Sequence, residues 1–488
     1  MAKIDLTIHP KRLENSVKRA RERNIIIPTF AEMRDPSKMP EKVKAELKDI
    51  GLWDVNPRNL FRITWKNEPK EKGGQFDGVN YIELPKSLTG VDARIIVLVG
   101  KWFPTGAHKV GATFGCLVPR LVTGQFDPVT QKAVWPSTGN YCRGGAYNST
   151  LLACESIAIL PEGMSRERFD WLKTVTGEII ATPGTESNVK EIFDKCWELR
   201  ESGEDLMIFN QFEEFGNYLW HYDITGHAME EVLKKELGKR GKYRGLILTT
   251  GSAGTIGCGD YMKQLFPGSL VGASEALQCP TLLENGFGAH RIEGIGDKHV
   301  PWIHNVKNTD LITAIDDNAV VSISRLFNEK AGREYLISKG VPQNLVSSLD
   351  LFGFSGIANL LSAIKMAKYY EMNEDEIVLT VLTDSMELYQ SRLEEMHEEY
   401  GQYSETDAAA HFARYLKGES TNNLLDLTYA DQRRVHNLKY FTWVEQQGRT
   451  YEEIVDQWYA DTYWTDFQDQ IDEIDDLIVS FNEKVGLL

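Results

Sequence analysis

Ala93-Arg94-Ile95-Ile96-Val97-Leu98-Val99-Gly100 decides the fold. Five consecutive apolar residues, mostly β-branched and closed by a glycine, predict a strand buried on both faces, the texture of a parallel sheet core. Similar short runs recur at Ser156 to Leu160, Gly177 to Ala181, Gly245 to Thr250 and Ile377 to Leu382. Between them lie stretches with helical spacing, such as Val189 to Arg200 and Gly226 to Leu237. Strands alternating with helices place the chain in the α/β class.

Outward from that core the two ends differ in kind. The first ninety or so residues combine a basic amphipathic stretch, Lys11 to Arg23, with proline-punctuated segments, and read as a wrapping extension. Gly401 to Leu488 lacks buried-strand runs and reads as acidic amphipathic helices. With 17 Asp+Glu against 7 Lys+Arg, this end carries −10 of the chain's formal charge of −17. So acidic a surface, without a basic cluster, disfavours nucleic acid as a partner. The 488 residues, 42% hydrophobic and 26% charged, exclude a small binding module and a disordered chain. Six scattered cysteines (Cys116, Cys142, Cys154, Cys196, Cys258, Cys279) form no CxxC pair, and ten histidines form no HxxxH spacing, so neither a disulfide scaffold nor a metal site is expected. The N-terminus has no secretory apolar stretch and no run reaches the length of a membrane span, so the expectation is a soluble, cytoplasmic protein with no membrane partner.

Four segments carry chemistry. Pro104-Thr105-Gly106-Ala107-His108-Lys109-Val110-Gly111-Ala112 follows the first core strand and sets a lysine among small residues, where burial would lower its pKa and make the amine a nucleophile. Trp135-Pro136-Ser137-Thr138-Gly139-Asn140 concentrates hydroxyl, glycine and amide groups that can present donors to a carboxylate. Leu248-Thr249-Thr250-Gly251-Ser252-Ala253-Gly254-Thr255-Ile256-Gly257 joins a strand to a helix with small residues, the make-up of a phosphate cup. It lacks the Gly-Lys-Ser/Thr ending of a nucleotide P-loop and the acidic residue downstream of a dinucleotide fingerprint. Gly353-Phe354-Ser355-Gly356 opens a later helix. Taken singly, each also has an ordinary reading as a solvated lysine, an N-cap turn or a glycine-tolerated turn, as does Glu293-Gly294-Ile295-Gly296.

Together, in this order, they resemble the fold type II pyridoxal-phosphate enzymes, the tryptophan synthase β family, and most nearly its cysteine synthase and cystathionine β-synthase branch. The resemblance runs from about Ile95 to Arg392 and includes Gln211-Phe212, Val300-Pro301, Val381-Leu382-Thr383-Asp384-Ser385 and Tyr389-Gln390-Ser391. It implies a two-lobed α/β fold with open twisted sheets flanked by helices. On that scheme 91–130 with 226–400 form the large cofactor-binding domain and 131–225 the small substrate-binding domain, with extensions over 1–90 and 401–488. It also implies pyridoxal 5'-phosphate as cofactor. Lys109 would hold it covalently; Asn140 would lie beside its ring oxygen; Gly251, Ser252, Ala253, Gly254 and Thr255 would bind its phosphate; Ser355 would hydrogen-bond its pyridine nitrogen. Ser137, Thr138, Gly139 and Gln211 match the residues that hold the substrate carboxylate.

The implied activity is β-replacement or β-elimination through an aminoacrylate, on a sulfur-containing or O-activated serine-type amino acid, by a homodimer. The alternatives are an ammonia-lyase or dehydratase of the diaminopropionate or threonine type, and a non-catalytic regulatory subunit. Three features depart from the branch. Ala253 stands where it usually carries glycine, and Tyr141 and Cys142 replace smaller residues and are expected to alter the pocket wall. The Thr105 to Lys109 spelling is nearer the tryptophan synthase β-subunit, although that subunit's catalytic-glutamate segment has no match.

Overall fold

In the computed structural model, which describes residues 3–137 and 139–488, the buried runs become two separate sheets. The strands are β1 (Tyr81–Leu84), β2 (Arg94–Val99), β3 (Lys132–Pro136), β4 (Glu155–Pro161), β5 (Glu178–Thr182), β6 (Leu206–Ile208), β7 (Lys242–Thr249), β8 (Leu270–Ala276), β9 (Leu311–Ile315), β10 (Glu376–Leu382) and β11 (Leu424–Asp426). A seven-stranded sheet has the order β1-β2-β10-β7-β8-β9-β11, and a four-stranded sheet the order β5-β4-β3-β6. The small sheet is wholly parallel; the large one is parallel except at its rims, where β1 runs against β2 and β11 against β9.

Ile95 to Val99 are all buried because helices cover both faces of β2 and its neighbours. One of those helices, Phe354–Tyr369, is apolar nearly all round and lies inside the large lobe, against β7, β9 and β10. Lys109–Thr123 is similarly buried and crosses Phe215–Trp220 at Gly115 and Gly216, where a Cβ on either glycine would collide with the other's carbonyl oxygen. Only glycine lets two backbones approach that closely.

The two terminal segments each supply one rim strand of the large sheet, β1 and β11. They also close on each other. Asn482 in the last helix (Ile471–Val485) accepts from Ile27 N–H at 3.1 Å and donates to Ile27 O at 2.7 Å. The Asp475 carboxylate accepts from the N–H groups of Phe30 (2.6 Å) and Ala31 (3.0 Å), capping a short helix. The last helix packs on Pro10–Glu22 and on Lys109–Thr123, so both ends form one layer behind the lysine-bearing helix. Among the described residues no helix is long and apolar enough to cross a membrane.

Candidate active site

Parallel strands converge their following loops at one edge, and ligands of open α/β sheets sit there. The loops after β2, β7 and β10 meet at that edge. Gly100 lies so close to the carbonyls of Leu382 and Thr383 that a Cβ would fall 2.5 and 2.6 Å from their oxygens, and His108 N–H donates to Thr383 O at 3.2 Å. The next residue, Lys109, begins its helix with Nζ 2.9 Å from Ser252 Oγ in the loop after β7. Burial pushes the Lys109 ammonium down from 10.5 to about 8, while the nearby Asp297 carboxylate works in the opposite direction. Asp297 is raised to about 7 by burial, with Lys109 pulling it back. Its Oδ2 has no hydrogen-bond partner among the described residues.

The loop itself is shaped by close packing. Asn217 Nδ2 donates to Ser252 Oγ (3.0 Å) and to Gln211 O (2.9 Å), and its amide occupies the space a Cβ on Gly254 would need. Gly254 therefore presents bare backbone, and Gly257–Leu265 follows as a helix whose N-terminal N–H groups add positive potential. Ala253 adopts φ +60°, the left-handed region that glycine occupies without cost, which is the physical content of the branch's preference there. Thr255 Oγ1 lies 3.5 Å from Nε2 of His108, a ring that burial holds neutral, with its pKa near 3. Gly294 and Gly296 have φ +99° and +78°, so the Glu293 to Gly296 segment is a true glycine turn, and it delivers Asp297 to Gly251.

A second cluster gathers around Asp384, just past β10. Its carboxylate accepts from Asn140 Nδ2 at 2.5 Å and from Tyr389 OH at 2.7 Å. Gly353 N–H donates to Asp384 O at 3.3 Å, placing the buried Ser355, two residues on, in the same neighbourhood. Ser137 N–H donates to Ile159 O and Ser137 Oγ accepts from Gly139 N–H, both at 2.9 Å, which fixes the turn into the helix Asn140–Leu151. Thr138 lies outside the described residues. Gly139 has φ +150°, and the Arg168 guanidinium fills the space beside it, its Nε 2.8 Å from where a Cβ would be. Arg168 in turn pairs with Glu293 and donates to Tyr389 OH at 2.8 Å. The two clusters are joined because Gly144 packs on the backbone of Lys109 and Val110, and Asn148 Nδ2 donates to Val110 O at 2.8 Å.

Lys109, Gln211, Ser252 and Gly254 thus meet in one cluster, with Thr255 on the adjoining His108, while Gly139 and Asn140 meet in the other, and the buried Ser355 lies two residues past Gly353, which bonds to Asp384. Asp297, Asn217, Asp384 and Arg168 have no role in the sequence reading, nor has Arg143, which is buried one helical turn past Asn140 with its guanidinium 4.5 Å over the Trp171 ring. The nearest signal for Asp297 was its place after Gly296, and for Arg143 a charge among the small residues after Asn140. Tyr141 packs on Trp135 and donates to Cys116 Sγ at 3.4 Å, and Cys142 donates to Gly139 O at 2.9 Å. Both are used in backing the loop.

No family model matches the chain. Relatives include a probable cysteine synthase of Bacillus subtilis, 28% identical over 300 residues, spanning 61% of this chain and 89% of that protein. Cystathionine beta-synthase of Saccharomyces cerevisiae is 25% identical over 316 residues, 63% of this chain and 59% of that one. In structure, the O-acetylserine dependent cystathionine beta-synthase from Helicobacter pylori matches with TM-score 0.53 and 22% identity, over 64% of this chain and 94% of its own. O-acetylserine sulfhydrylase isoform 3 from Entamoeba histolytica matches with TM-score 0.54 and 22% identity, over 69% and 93%.

Proposed function

We propose that this chain, a homologue of the cysteine synthases and cystathionine β-synthase built on their fold, catalyses pyridoxal-phosphate-dependent β-replacement on an O-activated serine-type amino acid. The observation that carries the reading is Lys109: a lysine with its pKa lowered to about 8, its Nζ 2.9 Å from Ser252 in a glycine-lined loop that leads into a helix. The residues fit that cofactor. Lys109 would hold it, Gly251 to Thr255 would cradle its phosphate, Ser355 would meet the pyridine nitrogen, and Asn140 Oδ1 and Asn217 Oδ1, without partners among the described residues, leave polar atoms for a ligand to satisfy. When bound, pyridoxal phosphate supplies an electron sink that acidifies the α-hydrogen of an attached amino acid.

The protein's part is placement and proton handling. Lys109 Nζ, whose pKa burial lowers to about 8, accepts the α-proton, and the nearby Asp297 carboxylate opposes that lowering. Ser137, Thr138, Gly139 and Gln211 hold the substrate carboxylate, and the Asn140–Asp384–Tyr389 bonds tie that loop to the large lobe. A neutral hydroxyl at the pyridine nitrogen does not fix a proton there, which favours loss of a β-substituent over deeper charge delocalisation. The same reading takes 91–130 with 226–400 as the cofactor lobe and 131–225 as the substrate lobe. It also takes the working unit to be a cytoplasmic homodimer.

The test is direct. Purified protein given the cofactor should develop a visible absorbance band that Lys109→Ala lacks, and with O-acetylserine and sulfide it should form cysteine. No band, or a band unchanged in Lys109→Ala, would overturn the proposal; keto acid formed independently of sulfide would replace β-replacement by elimination.

A further inference from the structure

Arg143 is a buried charge that forms no ion pair among the described residues, although the Asp384 carboxylate acts on it electrostatically. It lies one helical turn past Asn140, on the same helix face, and is 3% exposed. Its guanidinium sits 4.5 Å over the Trp171 ring, which covers one face of the fork and leaves the edge donors open. Nε and Nη1 are buried and find no acceptor among the described residues. Burial and the neighbouring Arg168 lower its pKa only to about 10, so it stays charged at neutral pH.

Among the described residues, the nearby carboxylates of Glu293 and Asp384 already hold other donors, each through at least one oxygen. Glu293 is shared between Arg168 and Arg392, and Asp384 accepts from Asn140 and Tyr389 through the same oxygen, Oδ2. Glu186 acts electrostatically on Arg168 and on Lys109. Among the described residues Arg168 Nε, beside Gly139, also lacks an acceptor, as Asn140 Oδ1 and Asp384 Oδ1 lack donors. An unpaired buried guanidinium is costly, and the planar fork matches the oxygens of a phosphate or carboxylate. Unpaired donors from two arginines therefore flank the loop read above as the carboxylate holder.

We propose that Arg143, with Arg168 beside it, forms an oxyanion subsite for the substrate's β-substituent, so that the preferred amino acid carries a phosphate or carboxylate there in addition to its α-carboxylate. This rests on the β-replacement reading. The holoenzyme should be assayed with sulfide and O-phosphoserine, O-succinylserine or O-acetylserine, in wild type, Arg143→Gln and Arg143→Lys. A charge-assisted contact of this kind predicts a loss of about 10- to 100-fold in kcat/KM for the oxyanion-bearing substrate in Arg143→Gln, mainly in KM, with partial recovery in Arg143→Lys. O-acetylserine should change little, and inorganic phosphate should raise the Tm of wild-type holoenzyme but not of Arg143→Gln. Whichever of the two oxyanion substrates is favoured identifies the group as phosphate or carboxylate. Equal losses on all three substrates would assign Arg143 to the α-carboxylate and overturn the proposal, as would a wild type that neither prefers an oxyanion nor responds to phosphate. Absence of the visible band, or of turnover with every O-activated serine, would instead overturn the β-replacement reading.

Discussion

Replacing Asp297 by asparagine removes the carboxylate that most strongly opposes the desolvation of Lys109. With burial acting against it, Lys109 titrates at about 8 rather than 10.5. At pH 7.4 an amine of pKa 8 is neutral about one time in five, against about one in a thousand for an ordinary lysine, so burial makes the nucleophile roughly 200-fold more available. Asp297 ionises near 7 and is therefore charged when Lys109 titrates. Taking that charge away leaves burial opposed only by the weaker effects of Cys116 and Glu186, and a partner of this kind typically moves a midpoint by about one pH unit or more. In Asp297→Asn the Lys109 midpoint should accordingly drop from about 8 to about 7. The assay is the rate at which cofactor-free protein captures pyridoxal phosphate, followed by its visible band from pH 6 to 10. Comparing the two proteins cancels the cofactor's own titration. Wild type should show a rise centred near 8 with a component near 7 that belongs to the pair rather than to either residue. The variant should show a single earlier rise and faster capture below pH 7.5. A wild-type midpoint at 10 would mean that Lys109 is not desolvated, and an unchanged or raised midpoint in Asp297→Asn would mean that the carboxylate does not act on it.

Gly115→Ala should destabilise the protein by about 3 kcal/mol in urea unfolding, because the new methyl meets the Gly216 carbonyl rather than a movable side chain. It should also lower cofactor content, since Lys109 and Asn217 stand on the two helices that would be forced apart. Ala253→Gly should stabilise by up to about 1 kcal/mol, relief of the left-handed strain at φ +60° exceeding glycine's extra chain entropy, with cofactor affinity little changed; a loss of 1 kcal/mol or more in urea unfolding would contradict this. Ending the chain at Gln470 removes Ile474, Ile478, Phe481 and Val485, each at most 1% exposed, at a cost of about 6 kcal/mol or more. Limited proteolysis should then cut between residues 23 and 35, whose backbone bonds to Asp475 and Asn482 are lost.

Several core strands were legible because a strand covered on both faces leaves a continuous apolar run, as Ile95 to Val99 does, whereas the equally buried Leu270–Ala276 and Leu311–Ile315 were not picked out. The rim strands Tyr81–Leu84 and Leu424–Asp426 were not, since both are short and mostly part-exposed, leaving no run to read. The same division holds at the site. Lysine, hydroxyl and glycine groups are recognisable where the chain itself sets their spacing, as in the loops at Lys109 and at Gly251 to Thr255. Asn217 against Gly254, and Arg168 against Gly139, are matches of shape made between different elements, and no periodicity records them. The extensions show the limit most clearly: their amphipathic faces were visible, but Asn482 meets Ile27 across 455 residues of sequence, so the pattern could reveal an apolar face without naming what it covers. Arg143 is the converse case. Its identity was plain in the sequence, but the absence of an acceptor for its buried Nε and Nη1 exists only once the helix Asn140–Leu151 is packed. That absence, rather than any motif, separates a substrate bearing a second oxyanion from a neutral ester within one reaction class.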